Sequence, residues 1–231
     1  MAIRLLPFRD YDEHDVVNLF KSAGNLSDFI DLSDATKRST KQGDAGVFVK
    51  VSAGDLDDSN DNWNPVDVTT DPTSLLGKTD YPHVGRNVYP QASLSVEAVN
   101  ADTDQCIGLT LRQTVARDEL GENLLYNPIK KDELFGVLPG EAVPVLSKGL
   151  VTITADAVNG TLEVGQALVP SANGTVSGVA YSSDRSAVNT IGTVLAKGTR
   201  DDEAGSQGGT NVFGNAGLMN GAYYIVKIDC A

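Results

Sequence analysis

The 231-residue chain is poor in the residues that most often carry chemistry: two cysteines, two histidines, one tryptophan and two methionines. It has no apolar run near the ~18 residues that a membrane-spanning helix needs, so no membrane partner is expected. The opening stretch, MAIRLLPFRDYDEHD, holds too short an apolar run for a secretory signal. The chain is therefore expected in the cytoplasm of the cell that makes it. Cys106 and Cys230 are too few for a disulfide framework, and neither lies in a CxxC or Cys/His pattern that suits a metal. Free buried thiols are the simpler reading, with pairing left open. His14 and His83 lack metal-ligand spacing and have no nucleophile turn beside them, so each reads as a surface or structural histidine. Without a phosphate-cradling glycine loop either, the chain is expected to have no cofactor and not to be an enzyme.

Positive charge is scarce as well. Lysine and arginine number 18 against 31 aspartates and glutamates, for a net charge of −13. Residues 1–41 are near balance, with 6 basic and 7 acidic groups, whereas residues 42–80 carry 2 and 8. An acidic body repels phosphate backbones, so nucleic acid is not an expected partner. The short basic run Lys37, Arg38, Lys41 reads as a solvated loop. The acidic stretch 55–62 has no register with the glycine and glutamate that a calcium loop requires, and reads as a hydrated loop rather than an ion site.

What the sequence does hold is strand and turn signal. Asn-Gly-Thr occurs at Asn159 and again at Asn173, each between apolar runs. Asn tolerates and Gly readily adopts the positive φ of a tight reversal, so both triplets are expected to turn hairpins, with strands at 161–164, 167–169 and 175–181. Apolar alternation and β-branched residues predict further strands at 47–51, 92–99, 107–111, 143–146, 150–154, 190–195 and 223–228. A polar turn is expected over 118–123 and a short helix over Pro128–Phe135. A second helical turn is expected over Asp15–Lys21, from apolar residues at 16, 19 and 20. Gly198–Gly221 reads as a long loop, the kind that is usually functional or disordered, and is assigned to contact with a neighbouring subunit.

Residues 1–40 hold apolar residues without a lasting period, including Ile3, Leu5, Leu6, Phe8, Val16, Leu19 and Phe20. Such a segment either packs across its own body or lies along another subunit, and an extended docking arm is favoured. The fold expected is mainly β: a small antiparallel β-barrel or sandwich with an extended N-terminal arm and long loops. Three segments are expected, namely the arm (1–40), a β-rich region with the acidic loop and a short helix (41–135), and a barrel-like C-terminal domain (136–231).

The run Gly140–Thr154, followed by Gly160–Val169, Asn173–Val176, Ile191–Leu195 and the closing Tyr224–Ile228, resembles the small β-barrel of tailed-bacteriophage capsid decoration, or structural cement, proteins. The likeness covers roughly residues 92–231 and rests on glycines and apolar alternation. It implies a virion protein on the outer face of a phage head, as a homotrimer that braces the major capsid protein. Ile3, Leu5, Leu6, Phe8, Val16, Leu19 and Phe20 would then supply the anchor, with Trp63 and Tyr223 or Tyr224 in second rank. The alternative is another virion part, of tail, baseplate or head fibre, with a glycan-binding tip.

Overall fold

A computed structural model describes residues 4–22, 30–31, 44–53, 95–118, 120–138, 141–180, 189–200 and 221–230. Ile3, Lys37, Arg38, Lys41, the acidic stretch 55–62, Trp63 and His83 lie outside the described residues. The strands are β1 (Leu5–Asp10), β2 (Val16–Ser22), β3 (Ile30–Asp31), β4 (Phe48–Ala53), β5 (Ser95–Ala98), β6 (Cys106–Thr110) and β7 (Gln113–Arg117). They continue with β8 (Gly136–Val137), β9 (Ala142–Leu146), β10 (Lys148–Thr154), β11 (Ala167–Pro170), β12 (Val176–Val179), β13 (Gly192–Arg200) and β14 (Gly221–Asp229), and a short helix, α1, spans Pro128–Glu133. The fold is mainly β, as the sequence predicts.

Two layers organise it. One is an antiparallel sheet in the order β1-β10-β14-β13-β11-β12, and the other is a five-stranded ring closed in the order β2-β5-β4-β6-β9. Alternation sorts side chains between the layers. Val47 and Val49 pack inside the ring with Val96, Ala98 and Val145. Their neighbours Phe48, Leu109 and Leu146 join the larger core with Val151, Ile153, Leu168, Val194, Tyr224, Val226 and Ile228 of the sheet. The ring strands are thus apolar on both faces where the sheet covers them, and each fully buried aliphatic side chain contributes ~1.5–3 kcal/mol relative to exposure. A third, smaller sheet, β3-β7-β8, is parallel throughout.

The second Asn-Gly turn joins the layers. Asn173 (φ 57°) and Gly174 (φ 66°) both take left-handed backbone and turn β11 into β12. Gly174 N donates to the Val99 carbonyl at 2.7 Å. The guanidinium of Arg4, itself buried, donates to the carbonyls of Asn173 at 3.3 Å and Gly174 at 3.1 Å. Burial pushes its pKa down against the charges of Asp44 and Asp156, but an arginine stays protonated under any ordinary condition. A charged side chain at the start of the chain therefore fastens a turn far along it to the end of the ring.

Several expectations need correction. Residues 15–21 are not helical: a 3-10 turn at Glu13–Asp15, capped by Asp12, leads into β2. β2 runs antiparallel to β9, from Val16 opposite Leu146 to Lys21 opposite Ala142. An irregularity between Val17 and Phe20 breaks the period of two, which lets apolar positions at 16, 19 and 20 imitate a helical face. A helix of that length is marginal in water, whereas the ladder to β9 is held by packing. The leading segment is also not a free arm. β1 pairs with β10, placing Leu5 opposite Ile153, and β2 closes the ring. Consequently the sheets do not follow the segments 1–40, 41–135 and 136–231: the ring takes strands from all three. The ring is not wholly antiparallel either, because β2 meets β5 in parallel. Finally, the Asn159 triplet bends the chain but starts no strand, and residues 161–164 form no ladder, although Leu162 among them is buried.

Candidate interaction surface

The residues expected to dock on a partner divide sharply. Leu5 and Leu6 are buried within this chain, and Leu5 belongs to the main core, so neither is free to anchor a partner. This corrects the expectation, and the cause is the pairing of β1 with β10. Val16 and Phe20 are half-buried against the two cores. Phe8 and Leu19 remain exposed. Tyr224 is a core residue, and the half-buried Tyr223 lies over Gly198, where an added Cβ would come within 2.4 Å of its ring.

The most exposed apolar side chains lie elsewhere, on the small module of β7, β8 and α1. Leu120 is 85% exposed, Tyr126 79%, Ile129 74% and Phe135 68%. A singly exposed apolar residue needs no explanation, but four within sixteen positions do. Beneath them the module has its own small core, formed by Val115, Leu124 and Leu138 with Leu125 and Leu134 packed on it.

Local sequence fixes how each is displayed. The buried Asp118 carboxylate accepts from Leu120 N and Glu122 N, both at 2.9 Å, and so builds the turn that leaves the Leu120 side chain in water. Asn127 caps α1 by accepting from Lys130 N at 3.3 Å, and Pro128 follows at the first helical position, where its missing N–H costs nothing. Ile129 then falls on the outer side of a helix with no buried residue. Lys131 and Glu141 pair at 2.7 Å, and Glu141 also accepts from Leu138 N at 2.9 Å, tying helix to strand. Gln113 Nε2 donates to the Leu134 carbonyl at the helix end.

Phe135 follows that end with φ 49°, a left-handed conformation usually given to glycine. The glycine comes one position later: Gly136 pairs with Gln113, and a Cβ there would lie 2.4 Å from Val115 Cγ1. Close approach of β8 to β7 claims the glycine, and Phe135 bears the strain at ~1 kcal/mol. Most of its ring stays in solvent.

Among the described residues, no group of three or more His, Cys, Asp or Glu is placed to hold a metal. An open depression of about 420 Å³ is lined by Asp10, Tyr11, Asp12, Asp15, Lys148 and Lys227 among others. The Asp12 carboxylate already accepts from His14 N at 3.0 Å, and His14 is exposed. No helix among the described residues is long and apolar enough to cross a membrane.

Sequence reading missed Leu120, Tyr126, Ile129 and Phe135 as surface residues. The available signal was the order Leu134-Phe135-Gly136, in which a helix-stopping glycine stands one place too late. Comparison with protein-family models, with curated proteins and with solved structures found no match to this chain.

Proposed function

We propose that this chain is a structural virion protein that sits on the outer surface of a phage capsid and braces neighbouring copies of the major capsid protein, itself acting as a homotrimer. The observation that carries this reading is the set of large apolar side chains held in water around α1, with Phe135 kept there at a backbone cost. Lasting interfaces bury on the order of 1,000 Å² or more and draw most of their energy from a few aromatic or aliphatic anchors. Leu120, Tyr126, Ile129 and Phe135 are assigned that role, with Phe8 and Leu19 as secondary contacts. The net charge of −13 supports the outer face of a shell: packaged nucleic acid would repel it on the inside, whereas outside it keeps particles apart.

The test is to mix the purified chain with expanded, undecorated shells of the phage that encodes it and to image the product. Added density at regular positions on the shell is expected. Bare shells with density on tails or baseplates would favour the alternative virion role, and no binding to any particle would end the proposal.

A further inference from the structure

The only two cysteines of the chain come together at the seam between ring and sheet. Cys106 opens β6 of the ring and is buried, and Cys230 directly follows β14 of the sheet and is half-buried. Backbone contacts converge on the pair from four segments. Asp229 N donates to the Ile191 carbonyl at 2.9 Å, and Cys230 N donates to the Ser147 carbonyl at 3.0 Å. Ser147 follows β9, whose Leu146 stands opposite Leu109 of β6. The Cys106 thiol donates to the Gly108 carbonyl at 3.4 Å, and the Cys230 thiol points to the Ile191 carbonyl at 4.0 Å. Asn189 Nδ2 donates to the Asp104 carbonyl at 2.6 Å, holding the 189–191 segment beside the start of β6. Within this knot Cys106 belongs to the main core and Cys230 packs against the same cluster.

We propose that Cys106 and Cys230 form a reversible disulfide site, closed by a small-molecule disulfide of the oxidised-glutathione class and reopened by a dithiol. The half-buried Cys230 attacks first, as its thiolate, on one sulfur of the oxidant. The oxidant's S–S bond breaks and one small thiolate leaves, taking up a proton. The Cys106 thiolate then attacks the Cys230 sulfur of the mixed disulfide and displaces the second small thiol. Two electrons and two protons have moved from the protein to the oxidant. The bond staples the last strand of the sheet to the ring, and the long loop it closes restricts the unfolded chain.

Closure should be slow at neutral pH. The neighbouring Cys106 thiol, burial and the charge of Asp229 all push the Cys230 thiol well above the ordinary cysteine range. The thiolate is the attacking species, so closure should accelerate ~10-fold per pH unit across neutral and mildly alkaline conditions. This inference rests on the positions of the thiols and not on the proposed function.

The full chain, reduced and then incubated with oxidised glutathione at mildly alkaline pH, is examined by intact mass, peptide mapping and thermal melting. The expected result is a monomer lighter by two hydrogens, a peptide joining residues 106 and 230, and a melting midpoint raised by ~5–10 °C and restored by dithiothreitol. Cys230→Ser should abolish the mass change and the rise. A persistent glutathione adduct without the cross-link, a disulfide-linked dimer, or no reaction of the folded chain at any alkaline pH that it survives would overturn the proposal. The mass readout decides even if a cysteine variant folds poorly.

Discussion

Gly174 combines left-handed backbone with a packed environment: a Cβ there would lie 2.3 Å from Val47 Cγ1 and 3.2 Å from Ala98 Cβ. Gly174→Ala is therefore expected to cost ~2–4 kcal/mol, read as a lower denaturant midpoint at unchanged slope. Phe135→Gly should behave in the opposite way. Glycine relieves the strain at φ 49°, so stability should hold or rise by up to ~1 kcal/mol, while binding to shells weakens. A marked loss of stability would show that the ring packs within its own chain. At Asp104, burial raises the pKa, but hydrogen bonds from Asn100 N and Lys50 outweigh it and hold the carboxyl below its ordinary range. The sign follows from that direction. The contribution is present above the unfolded-state pKa of ~3.9 and disappears as pH falls through the lower folded value. An Asp104→Asn variant should thus lose less stability than the parent between neutral pH and strong acid, as measured by melts across that range.

Local chemistry made most elements legible. The ten predicted strands outside the leading segment include the cores of β4, β5, β6, β9, β10, β11, β12, β13 and β14, because β-branched runs bounded by turns speak for themselves. α1 was legible from Asn127-Pro128. The partners were not. β1 and β2 pair with strands more than seventy residues on, and the period within β2 is broken by its irregularity, so nothing local distinguished a docking arm from two sheet strands. The strand at 161–164 failed for the reverse reason: alternation was present, but the segment forms no ladder, and only Val158 before it bridges to Val176 at the edge of the sheet. Deletion of residues 1–22 puts the correction to work. Removing β1 and β2 would open the ring and uncover the edge of β10, so the truncated chain should lose its cooperative melt or aggregate rather than remain folded without a docking arm. A soluble, cooperatively melting truncation would contradict the pairing described above.

At the scale of the whole molecule, a sheet and a closed ring share one core, and a turn gripped by a buried arginine links them. Arg4→Met leaves Asp44 and Asp156 without that buried charge nearby and strips two carbonyls of their donor, at an expected cost of ~2–4 kcal/mol in a chemical melt. On this body the α1 module displays exposed apolar side chains, and the proposed role in a virion stands or falls on that display. Co-sedimentation of the parent chain and of Ile129→Asp with expanded, undecorated shells tests it. Ile129 is exposed on a helix without buried residues, so the variant should fold and melt like the parent. The parent should pellet with the shells while the variant stays in the supernatant; a parent that fails to pellet, or a variant that pellets equally well, would contradict the assignment.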